Sequence, residues 1–169
     1  MKRMKKLFAI LMTMAMVMGL SITAMAAPDS ATITIDNAGI AAKFNKVQVV
    51  VANPTTETGW DIVDDYYDEF QTGFGNISEQ AILAGMIYKA TDGTAGTQIE
   101  NFDTKYAAAL NAICATITAP TAETGETSPL SVTSAGVYVI KGFEAGYTYG
   151  TMAAYISFGN YDTTTGVPT

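Results

Sequence analysis

The stretch "DIVDDYYDEFQTGF" (residues 61–74) decides the fold. It carries Ile62, Val63, Tyr66, Tyr67 and Phe70 at helical spacing, with Asp64, Asp65, Asp68 and Glu69 largely opposite. Apolar residues that recur three and four positions apart mark one face of a helix. The chain on either side keeps a different period. "ATITIDNAG" (31–39) alternates and then meets a turn signal, and "NKVQVVVANP" (45–54) runs as a strand to Asn-Pro. Strict alternation puts Val47, Val49 and Val51 on one face of that strand, with Lys46 and Gln48 on the other.

Two further helices follow the first. "SEQAILAGMIYKA" (78–90) opens on Ser78, a residue suited to an N-cap, and stops before Thr91-Asp92-Gly93. "NFDTKYAAALNAICA" (101–115) aligns Phe102, Tyr106, Leu110 and Ile113 on one stripe. After Thr116 the period of two returns in "TITA", "PLSVT", "GVYVIKG" and "MAAYISFG", with the Pro/Thr/Gly/Glu loop "APTAETGETSP" (119–129) among them. The pattern predicts a mixed α+β fold, mainly a β-sandwich, with a helical insertion around residues 60–115.

The N-terminus places the chain outside the cell. Lys2, Arg3, Lys5 and Lys6 precede an apolar run from Leu7 to about Ile22, and Ala24-Met25-Ala26 has the small-x-small form of a cleavage site. Residues 1–26 therefore read as a secretory signal peptide cut between Ala26 and Ala27. The remainder, 27–160 as one domain and 161–169 as a linker-like end, keeps five lysines, no arginine and all sixteen acids, a formal net charge of −11. Such a charge excludes nucleic acid and anionic lipid as partners.

Chemistry is sparse. The chain has no histidine and one cysteine, Cys114, which lies on the apolar side of the third helix and reads as a small buried hydrophobe. No catalytic, cofactor-binding or metal-binding set is expected. The acids Asp61, Asp64, Asp65, Asp68 and Glu69 lack the alternating oxygen-ligand loop of a calcium site and read as a solvated helix face. Trp60 reads as a core or helix-entry residue. Asn76-Ile77-Ser78 matches a glycosylation sequon of the short kind that arises by chance.

The strand patterns Ala31–Ile35, Lys46–Val51, Gly136–Lys141 and Met152–Gly159, with the acidic aromatic helix Trp60–Phe70, resemble the N-terminal domain of Gram-positive sortase-assembled fimbrial proteins. These are the pilins of the isopeptide-forming-domain family. The resemblance implies an Ig-like, load-bearing module, secreted and held at the cell surface or cell wall. Its implied function is structural and adhesive. Its implied partners are other fimbrial subunits or downstream domains of the same protein, and a host or matrix ligand. An LPxTG-like sorting signal and a Tyr-Pro-Lys-like motif do not occur in the 169 residues. Sortase is then a partner only if a sorting signal lies beyond them. The end "TTTGVPT" reads as a connection to a further domain, so the chain is a fragment or a secreted single-domain relative.

The resemblance also implies a self-made Lys–Asn cross-link assisted by an acid. Its candidates here are Lys46 and Asn160. Because strand parity points Lys46 to solvent and no acid has an apolar context, residues 27–169 are expected to form no such bond. Two other readings stand beside the fimbrial one. One is a free secreted binding module using Trp60, Tyr66, Tyr67, Tyr147 or Tyr149, since aromatics suit contact surfaces. The other is a secreted acidic hydrolase working through two carboxylates.

Overall fold

Ten residues of unbroken strand, Lys43–Ala52, organise the molecule. In this computed structural model, which describes residues 31–53, 55–120 and 125–156, that strand is β2. The others are β1 (Ala31–Ile33), β3 (Trp60–Ile62), β4 (Leu130–Val132), β5 (Gly136–Phe143) and β6 (Met152–Ile156). The helices are α1 (Asp64–Phe74), α2 (Glu79–Ala90) and α3 (Phe102–Thr116). A four-stranded antiparallel sheet has the order β3-β2-β5-β6, and β1 pairs with β4 in a separate two-stranded ladder. The class is α+β. The proposed signal peptide, the Ala26–Ala27 junction, Asn160 and residues 161–169 lie outside the described residues. No helix among the described residues is long and apolar enough to cross a membrane.

One face of the four-stranded sheet carries the helices. Val49, Val50, Val137 and Val139 meet Phe70, Phe74, Leu83, Phe102 and Ile113 in a continuous apolar cluster. Aromatic rings join α1 to α3. Phe74 meets Phe102 edge-on at 5.3 Å, Phe102 stacks on Tyr106 at 5.4 Å, and Tyr106 lies 6.3 Å from Phe70. The helices approach closely where Gly73 sits on α3, since a Cβ there would lie 3.0 Å from the Lys105 carbonyl oxygen. Burial of Tyr106 pushes its phenol pKa far up. Cys114 is buried in this cluster, as expected.

The other face is covered too. Ile33, Leu130 and Val132 of the β1–β4 ladder pack with Phe44, Tyr138 and Ile140 of the sheet. Consecutive residues of β5, from Gly136 to Ile140, are all buried because odd positions enter one cluster and even positions the other.

Several sequence expectations are met and several are corrected. Ser78 caps α2, its hydroxyl accepting from the Ala81 N–H at 3.3 Å. The Phe102, Tyr106, Leu110 and Ile113 stripe is buried. By contrast α1 begins at Asp64, and Ile62 belongs to β3, paired with Val50. Val63 remains extended and accepts from the Tyr66 N–H at 2.9 Å. The physical reason is that a β-branched Ile-Val pair fits a strand, while Asp64 and Asp65 favour the positive end of a helix. Gly75 then ends α1 in the left-handed conformation, with the Asn76 N–H on the Gln71 carbonyl at 2.8 Å. "TITA" is not a strand, because α3 continues to Thr116 and Ile117 caps it.

The parity of β2 also breaks. Its register against β5 shifts between Gln48 and Val50, so Val49 is an extra residue and Val49 and Val50 both enter the helix-side core. Val51 is displaced from the face it would share with Val47 and is half-buried. A bulge of this kind reverses the alternation beyond it.

Candidate functional site

Lys46 illustrates how the second covered face changes the chemistry. Before the bulge the even face of β2 is not open to solvent, since Phe44 is buried with the β1–β4 ladder and Lys46 and Gln48 are half-buried. Lys46 pairs in register with Ile140, its side chain is 17% exposed, and its Nζ forms an ion pair with Glu126. The loop that brings Glu126 there is fixed by reciprocal backbone bonds. The Phe44 N–H donates to the Glu126 carbonyl at 2.8 Å, and the Glu126 N–H donates back at 3.1 Å. One premise of the sequence reading is thereby corrected, because the lysine side chain is 17% exposed rather than solvent-facing; the acid that meets it, Glu126, is itself 41% exposed. The expected outcome at the bond itself is unchanged, and Asn160 lies outside the described residues. Intact-mass measurement of residues 27–169 is expected to show no loss of ammonia. A deficit of about 17 Da, the mass lost when an amine displaces ammonia from an amide, would overturn this.

The acidic side of α1 separates into distinct roles. Asp64, Asp65 and Asp68 are exposed. Asp61 accepts from the Asn53 Nδ2, and Glu79 Oε1 caps the Ile62 N–H at 2.5 Å. Tyr66 is held above the usual phenol range by desolvation and by the neighbouring Asp65 and Glu69 charges. Among the described residues no three His, Cys, Asp or Glu side chains are grouped to hold a metal.

The aromatics proposed as a contact surface differ in exposure. Trp60 is 4% exposed and meets Tyr155 edge-on at 5.7 Å, which is the core role. Tyr66 and Tyr67 are half-buried against the helix-side core. Tyr149 is half-buried, with its ring edge-on to Phe44 at 5.6 Å. Of the five, Tyr147 alone stands exposed.

Around Tyr147 a different arrangement emerges, which the sequence reading missed. The Tyr149 hydroxyl donates to Glu144 Oε2 at 2.6 Å and accepts from the Gly39 N–H at 3.3 Å. The hydrogen bond to Glu144 is the main cause that raises the Tyr149 pKa. These bonds join the loop after β5 to the loop between β1 and β2. Beside them an open cleft of about 340 Å³ is lined by Ile35–Gly39, Ile40, Ala42, Phe44, Thr127 and Ser128. Ser128 supports its wall, its Oγ accepting from the Ile35 N–H at 2.8 Å. Asp36, Asn37 and Thr127, residues whose side chains can hydrogen-bond a ligand, are among those that line the cleft. Comparison with protein-family models, curated proteins and solved structures finds no match to this chain.

Proposed function

We propose that the chain is a structural and adhesive domain of a secreted fimbrial, pilin-like protein at the cell wall of a Gram-positive bacterium. In this reading the two sheets make an Ig-like sandwich to which the helices add a third layer. One observation carries it. The strands that bear the fimbrial resemblance, in β1, β2, β5 and β6, are the framework elements, and apolar clusters cover both faces of the sheet they build. Such a sheet opens only with loss of both clusters, which suits a module that carries load rather than one that turns over substrate. Its partners are other fimbrial subunits or downstream domains of the same protein, with a host or matrix ligand at the loops.

Location tests the reading. Antibody raised against the domain is expected to label the surface of intact cells of the source bacterium. In cell-wall extracts it should detect covalent ladders of high mass. Recovery of the whole pool in the cytosol, or only as a free monomer in the medium, would overturn it.

A further inference from the structure

Two large apolar side chains stand in solvent among the described residues: Ile40, fully exposed, and Tyr147, 69% exposed. A single such residue needs no explanation, but these two sit on loops that are bonded to each other. The Gly39 N–H, next to Ile40, donates to the Tyr149 hydroxyl, which in turn donates to Glu144. The Tyr147 N–H closes a turn onto the Glu144 carbonyl at 3.2 Å. Ile40 therefore follows Gly39 at one end of this contact in sequence, Tyr147 lies between Glu144 and Tyr149 at the other, and Ile40 also lines the cleft. Residues 35–42 and 144–151 contain Asp36 and Glu144 and no lysine or arginine.

The geometry points to this loop pair as a docking surface for an extended polypeptide segment that presents apolar side chains between lysines or arginines. The apolar groups cover Ile40 and Tyr147, which removes two hydrophobic surfaces from water. The backbone of the segment meets Asn37 and Thr127 along the cleft, and its cations face Asp36 and Glu144. Charge argues against a second copy of this chain as the occupant. The whole sequence carries −7, and both loops are acidic, so two copies repel at this surface. An exposed tyrosine is also the kind of anchor that dominates recognition of a peptide. The inference holds whether or not the domain belongs to a fimbria.

The probe is the capped peptide Lys-Leu-Lys-Phe-Lys, titrated into the ¹⁵N-labelled chain. Amide shifts are expected at 36–42, 127–128 and 144–149, with a dissociation constant below about 1 mM that weakens as salt rises. The same peptide with Glu for each Lys, or Ser for Leu and Phe, is expected not to bind. The double substitution Ile40→Ser and Tyr147→Ser should weaken binding by about tenfold or more. Both positions are exposed, so the rest of the amide spectrum should stay unchanged and report that the fold is intact. Absence of shifts at about 2 mM peptide, roughly twice the weakest affinity expected, would overturn the inference. So would shifts centred on Asp64, Asp65 and Asp68, which would mark generic attraction to the acidic helix. Unchanged binding by the double variant would overturn it as well. A concentration-dependent dimer lost in that variant would assign the surface to a second copy instead.

Discussion

Gly136→Ala is expected to cost roughly 4 kcal/mol, of which about half is backbone strain and half is overpacking. Gly136 opens β5 at φ 150°, a conformation that residues with a Cβ rarely adopt. It also faces the bulge of β2, in register with Val51. A Cβ there would overlap the Val50 carbonyl oxygen and lie 2.7 Å from Gln48 Nε2. Neither neighbour can retreat cheaply. The carbonyl belongs to the bulged backbone, and the Gln48 amide is held by the Ala135 carbonyl at 2.8 Å. The whole stability of a domain is about 5–15 kcal/mol, so this one methyl group removes a large share of it. Gly146→Ala is the control. Gly146 also has a positive φ, 82°, but a Cβ there meets nothing within 4 Å. It should lose only about 1 kcal/mol, the conformational part alone. Urea unfolding of both variants decides the matter. Equal losses would show that the approach of β5 to the bulge is not the controlling contact.

The helices were legible because each has a local signature. Ser78 marks one start, and the Phe102 to Ile113 stripe needs only its own periodicity. The start of α1 was ambiguous for a physical reason. Ile62 and Val63 satisfy both a strand and a helix, and the choice is made by pairing with Val50 across the sheet, a non-local contact. The faces of β2 and β5 were illegible for a related reason. Alternation reveals burial only when one face is wet, and here segments far away in the chain cover the second face. The loop chemistry was harder still. Glu126 lies in a Pro/Thr/Gly run whose composition signals a turn and nothing else, and its partner Lys46 is eighty residues away. Ile40 is a lone apolar residue in a small-residue loop, so no sequence pattern singles it out from core residues.

Phe44→Ala tests the covered second face most directly. If the even positions of β2 faced water, removing this ring would change stability by no more than about 0.5 kcal/mol. The ring is instead 1% exposed, packed with Ile33, Leu130 and Ile140 and edge-on to Tyr149. Phe44 also stands where three features meet. Its backbone bridges to Glu126, its ring contacts Tyr149, and it lines the cleft. Truncation removes a large buried surface and leaves a cavity between two layers of β-structure, which cannot close without breaking the β1–β4 packing. The expected loss is about 3–5 kcal/mol, measured by urea unfolding. Phe70→Ala, at a fully buried position in the helix-side cluster, should cost about the same. The two residues belong to separate clusters on opposite faces, so the double variant should lose nearly the sum, within about 0.5 kcal/mol. A near-neutral Phe44→Ala would mean that the β1–β4 ladder does not rest on the sheet, and the two-faced core would have to be abandoned.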